Sequence, residues 1–295
     1  MAITESSNSK PWLVLGIGFA LTLLVFWKPV YEIVQLASRD ETSSHILLIP
    51  FISAWLLITA KKKANPIRGF TLGPAIAFLL PGVLLAALGF ECISCAPRTR
   101  LAAYALSLIV LLVGEFVLVL GTDAAKANSF ALAFLLFCIP IPDALLGRII
   151  YWLQSGSAWI AEIFFNLSGA PVLRDGFVFR LPKYSIEVAQ ECSGIRSSLA
   201  LLILAILVAH FSFRPLWKKL VFVVAGLCMM LIKNGIRIAA LTLLANYVDP
   251  GFLYGSLHHQ GGVVFFLIGL ALLLPVFWLL RKGEPQTSEN TSTAR

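Results

Sequence analysis

A chain of 295 residues that is 59% hydrophobic and only 13% charged has too little polar surface to face water on all sides, which excludes an ordinary soluble globular domain. Its net charge of +8 does not argue for nucleic acid, because the Lys and Arg residues fall between and at the ends of apolar runs, where they set membrane topology. Those runs are long and rich in Leu, Ala, Phe and Ile, and spanning segments of about 20 residues must satisfy their backbone internally, so the expected fold class is an all-α polytopic membrane protein.

The N-terminal MAITESSNSKPW leads into an apolar run with no small-residue cleavage site after it and reads as an uncleaved first helix. Hydropathy then predicts about eight helices, at roughly 12–34, 45–60, 70–90, 101–120, 127–146, 196–213, 218–245 and 262–280. Pro81, Pro140 and Pro142 are expected to kink or end their segments. The basic connections KKKANPIR (Lys61 to Arg68), RPLWKK (Arg214 to Lys219) and RKGEP from Arg281 belong in the cytoplasm, and an even number of crossings puts both termini there. Residues 147–195 and the connections around 35–44, 91–100 and 246–261 then lie outside, on the far face of a cell inner membrane. Within the long outer segment, GRIIYWLQSGSAWIAEIFFNLSG mixes aromatic and polar residues at near-helical spacing, as an interfacial amphipathic helix does. VLRDGFVFRLPKYSIEV alternates on both sides of Asp175-Gly176 and predicts a small β-hairpin. Residues 1–285 read as a single transmembrane domain, and 286–295 as a polar tail expected to be disordered.

Polar residues are concentrated in three places. EVAQECSGIRSS runs from Glu187 to Ser198 at the outer mouth of the sixth helix, with Ser193 its expected N-cap. The unpaired N–H groups and dipole of a helix start stabilise a thiolate at Cys192, and Arg196, one turn in, adds to that field. IKNGIRIAAL places Lys233 and Arg237 four apart on one face of a spanning helix, with Asn234 beside them. Each such cation costs about 2.5–3.5 kcal/mol to insert and marks function unless it snorkels to the headgroups. LHHQGG brings His258 and His259 to the outer start of the last helix, where an imidazole can take a thiol proton and return it to a leaving amine. The topology sets Cys192, Arg237 and His258 at one depth on one side, which is a nucleophile, a cation for an oxyanion and a base, as acyl transfer through a thioester requires. Glu187, Glu191 and Asp249 are on the correct side to orient the histidine. Cys138 and Cys228 lie in apolar runs, and the Cys92–Cys95 pair is a candidate local disulfide. No four-ligand metal pattern occurs, and neither metal nor cofactor is expected.

EVAQECSGIRSS, NGIRI and HHQGG, in that order and each at a helix mouth, resemble the three signature motifs of the exosortase/archaeosortase family, and SHILLIPFISAWLL and CIPIP resemble its weaker features. The likeness runs from about Ser44 to Leu280. It implies a polytopic cysteine transpeptidase acting on exported proteins that carry a C-terminal sorting signal, made of a short motif, a transmembrane helix and a basic tail. It implies Cys192 as nucleophile, Arg237 as the arginine and His258 as the histidine, with His259 adjacent, and an acceptor such as a glycan or lipid. Two other classes of function use the same residues differently. A purely hydrolytic intramembrane peptidase would resolve the thioester with water. A transporter or lipid-flipping scaffold would use Lys233 and Arg237 to bind an anion, but leaves Cys192 and His258 without a task and predicts internal repeats that the sequence lacks. A thiol–disulfide exchanger built on Cys92 and Cys95 is a further alternative.

Overall fold

The computed structural model describes residues 10–60, 71–91, 96–182, 185–188, 194–253 and 262–282, and the chain divides into two compact units, Met1–Leu146 and Gly147–Arg295.

In the first unit the run expected as one helix over 12–34 is two, α1 (Lys10–Val25) and α2 (Trp27–Arg39), bent by 78°. Pro29 is the cause: it has no N–H to offer the Val25 carbonyl and its ring crowds that oxygen, and the ladder resumes only with the bond from Val30 N–H to Phe26. A 3₁₀ turn, Ser44–Leu47, precedes α3 (Ile49–Ala60), and the apolar stretch from Ser44 to Thr59 is too short to cross a bilayer core unaided. The long helices α4 (Leu72–Glu91) and α5 (Pro97–Ala127) approach closely at glycines: a Cβ on Gly82 or Gly114 would come within 2.7 Å of Leu111 or Leu79 of the facing helix. Pro81 stands inside α4 without ending it; the tight seam with α5 and the hydrogen bond from Ser107 to the Gly82 carbonyl hold the helix together there. Gly121, at φ 86°, breaks α5 where hydropathy ended it. Midway along α5, Glu115 accepts a hydrogen bond from Thr22 of α1.

The helix expected over 127–146 stops early. α6 (Ser129–Phe134) passes into a 3₁₀ turn, Leu135–Cys138, and Pro140 and Pro142 end it before α7 (Asp143–Ser168) begins. The two weaker motif stretches meet here, Ile46 packing with Ile33, Ala37, Leu101 and Ala105 against Cys138 and Ile139. Above that cluster Arg98 donates to Asp40 at 2.9 Å and to Thr42 at 3.1 Å, and pairs with Asp143 at 3.3 Å.

The second unit holds most of α7, a three-stranded antiparallel sheet in the order β1 (Leu173–Asp175), β2 (Val178–Arg180), β3 (Ser185–Glu187), and the helices α8 (Ile195–Ser212), α9 (Leu216–Tyr247) and α10 (Gly262–Arg281). The expected hairpin is present; its two-residue turn is Gly176-Phe177, with glycine at φ 62° in the first central position as a type II′ connection requires. The third strand was not foreseen. Phe179 of this sheet and Val188 just after it pack with Ala158, Ala161 and Phe165 of α7 and with Ile238 and Ala239 of α9. A second core joins α8, α9 and α10 through Leu201, Ala205, Phe222, Met230 and Leu273.

The all-α polytopic class holds. Among the described residues five helices, α4, α5, α8, α9 and α10, are long and apolar enough to cross a membrane, rising to seven if each bent pair, α1 with α2 and Ser129–Cys138 with α7, is one span. The eight expected from hydropathy included the short Ser44–Thr59 stretch and placed α7 outside the spans.

Candidate active site

The first two polar stretches meet in the bundle formed by α8, α9 and α10, where Gly194 approaches Asn234, and Gly262, the last residue of the third, begins α10. Cys192, Ser193, Glu191, His258 and His259 lie outside the described residues, as do Cys92 and Cys95, the candidate disulfide pair; Gly194, Arg196, Lys233, Asn234, Arg237 and Gly262 lie within.

The sixth predicted helix begins at Ile195, and its cap is Gly194 rather than the expected Ser193. Gly194 adopts a left-handed conformation, φ 68° and ψ 21°, and its carbonyl accepts the first helical bond, from Ser198 N–H at 2.9 Å. Two physical constraints select glycine. Side chains with a Cβ rarely adopt this φ, and a Cβ built here would stand 2.7 Å from the Asn234 Oδ1. The turn that follows Cys192 is therefore seated directly on α9, at the turn before Arg237.

Asn234 is buried, and its Nδ2 donates to the Ser157 hydroxyl of α7 at 3.0 Å. Asn234 thus ties α7 to the Gly194 turn. Gly235 completes the seam, since a Cβ on it would overlap Ile160. Arg237, one turn on, is half-buried, and Arg196 is exposed. Glu187 is exposed at the end of β3, paired across the sheet with Val178.

Lys233 does not snorkel. Its side chain is 1% exposed, and its ammonium donates to the Ser197 hydroxyl, which in turn donates to the Gly194 carbonyl at 3.1 Å. Along its stem, the Cδ would lie 3.2 Å from a Cβ on Gly269 of α10, so the missing side chain leaves room for the lysine to pass.

Sequence reasoning missed Gln154, Ser157 and Ser197. Two polar residues of α7 are turned into the protein: Gln154 and Ser157, three apart on one face, are buried, with Gln154 donating to the Val188 carbonyl just after β3. The exposed face of α7 is Tyr151, Trp152, Trp159 and Leu167, with Trp152 73% exposed. The signal was the spacing of Gln154 and Ser157 on one face, opposite the aromatic residues.

Among the described residues no group of His, Cys, Asp and Glu side chains could hold a metal ion. A family model described as Transmembrane exosortase (Exosortase_EpsH) matches residues 35–275. No curated protein and no solved structure matches the chain.

Proposed function

This chain belongs to the transmembrane exosortase family, and from that premise we propose that it is a membrane-embedded cysteine transpeptidase that cleaves the C-terminal sorting signals of exported proteins and transfers them to an acceptor nucleophile. In this reading the Cys192 thiolate attacks the carbonyl carbon of the scissile peptide bond, forming the C–S bond as the carbonyl oxygen becomes an oxyanion beside Arg237. His258, having taken the thiol proton, returns it to the departing amine nitrogen as the C–N bond breaks, which leaves a thioester. A hydroxyl or amine of a glycan or lipid acceptor then attacks the thioester carbonyl, gives its proton to the imidazole and releases the cysteine.

The observation that carries this reading is the contact of Gly194 with Asn234: the turn two residues after Cys192 rests on the helical turn that precedes Arg237. That contact supports a nucleophile and an oxyanion-stabilising cation, more than 40 positions apart in sequence, working together at one end of one bundle. The active site faces the extracytoplasmic side in this reading, because the basic connections mark the opposite face.

The test is processing of a co-expressed exported protein that ends in a transmembrane helix and basic tail. Cys192→Ala and Cys192→Ser should abolish processing, whereas Cys138→Ala and Cys228→Ala should process at the wild-type rate. His258→Ala and His259→Ala, compared in the same assay, identify the base. Processing that survives Cys192→Ala ends the acyl-transfer reading.

A further inference from the structure

The most expensive side chain in the second unit is Lys233, a cation almost wholly enclosed among apolar helices. Its position is unusual in a second respect: it belongs to α9, its stem crosses α10 at Gly269, and its ammonium ends on Ser197 of α8. One side chain thus touches each of the three helices that carry or adjoin the three sequence motifs. Replacing a buried charge by an apolar group of similar volume is often neutral or stabilising, so adhesion between helices does not account for a lysine here.

The direction of the hydrogen bonds indicates what the lysine does. The ammonium can only donate, so the Ser197 oxygen accepts from it and the Ser197 proton is left for the Gly194 carbonyl, 3.1 Å away. That carbonyl also accepts from Ser198 N–H at 2.9 Å, so both of its lone pairs are engaged. The peptide unit two residues beyond Cys192 is held on one side by this relay and on the other by the Asn234 side chain against the Gly194 Cα.

We propose that Lys233 is a positioning residue that, through the Ser197 hydroxyl, locks the Gly194 carbonyl and so fixes the backbone turn that presents Cys192. The proposal rests on the reading of Cys192 as the nucleophile, and Lys233 itself touches no reacting atom in it. Ser197 is the adjustable link: threonine keeps the hydroxyl and alanine removes it without disturbing the charge.

The experiment measures Cys192 alone, so that it does not depend on finding a substrate. In the full-length protein with Cys92, Cys95, Cys138 and Cys228 changed to alanine, the rate of iodoacetamide alkylation is measured at neutral pH beside the thermal unfolding midpoint. Ser197→Ala and Lys233→Met should alkylate about tenfold more slowly than the parent, since a thiol displaced from the field of the α8 N-terminus loses thiolate at neutral pH, while Ser197→Thr stays within about twofold. The unfolding midpoint of Lys233→Met should equal or exceed that of the parent, separating position from stability. Parent-like alkylation in Ser197→Ala overturns the proposal, and so does an equal loss in Ser197→Ala and Ser197→Thr, which would make packing rather than the hydroxyl the cause. If Lys233→Met fails to accumulate, the two serine variants decide alone. A parent protein that alkylates but processes no exported protein would sink the transpeptidase reading and leave this comparison standing.

Discussion

Arg237 stands one turn beyond Lys233 on α9 and is only half-buried, so the two cations have different work to do. An arginine that merely reaches for headgroups is replaceable by lysine, because both are long cations on flexible stems. An arginine that holds a substrate carbonyl or the developing oxyanion presents two donors in a rigid planar fork, which an ammonium does not reproduce. Removing one such donor typically costs about 2.7–4 kcal/mol. Arg237→Lys should therefore insert at near wild-type abundance and process its substrate at least about a hundredfold more slowly. Quantitative processing with immunoblot normalisation for abundance checks this, and a variant both abundant and fully active would return Arg237 to an anchoring role.

At the scale of elements, the ends of α2, α5 and α7 are joined by the Arg98 cluster, in which Asp40 is the more enclosed of two acids. Burial works against the charged form of Asp40, but hydrogen bonds from Thr42 and Ser43 and the Arg98 guanidinium outweigh it and hold the carboxyl below its ordinary value of 3.8. A carboxyl depressed in the folded state contributes stability above its unfolded value and loses it as pH falls through the folded one. Asp40→Asn should accordingly unfold about 2–4 °C earlier than wild type at neutral pH, and the two melting curves should converge as the solution is acidified below 3.8. A deficit that persists undiminished at about pH 3 would remove the carboxylate as its cause. The same elements show how far the sequence could be read. Breaks at Pro140 and Pro142 were legible because backbone chemistry acts locally there, whereas the one at Gly121 was legible only as a fall in hydropathy. Pro29 was passed over because apolar residues resume beyond it at Val30 and Tyr31, while the hydrogen-bond ladder is interrupted. α7 was read as lying on the surface because its aromatic and polar residues are at helical spacing, but spacing alone does not say which face is turned to protein; Gln154 and Ser157 found buried partners instead. The capping role of Gly194 depends on Asn234, 40 positions away, and no local signal contains that.

For the whole molecule the governing question is which face of the membrane each end of the bundle meets. At a rise of about 1.5 Å per residue, the 32 residues of α9 extend about 48 Å, longer than a hydrocarbon core of about 30 Å, so its ends emerge on both sides. Exposed Trp217 and Tyr247 stand at those two ends, in the manner of interfacial anchors. Positive charge follows one end only, at Arg214, Lys218 and Lys219, so the proposed reading sets that end in the cytoplasm and the Gly194 and Arg237 end outward. Impermeant maleimide applied to intact cells should label Cys192 in a protein with no other cysteine, and should fail to label Lys62→Cys in a cysteine-free background until the membrane is permeabilised. The reverse pattern would invert the arrangement and with it the site's access to exported proteins.

The left-handed turn at Gly194 also bears on how the chain can vary. Every single-base change of a glycine codon that alters the amino acid adds a Cβ or stops translation, so a saturation library should show position 194 as intolerant even to alanine, while Ser197 accepts threonine. The two barriers at this position are separable by suppressor genetics. Asparagine tolerates the left-handed conformation far better than alanine does, which lifts the backbone barrier but keeps the clash at 2.7 Å with Asn234. Gly194→Asn should fail alone and recover in part when combined with Asn234→Gly, whereas Gly194→Val, strained in the backbone itself, should find no suppressor on α9.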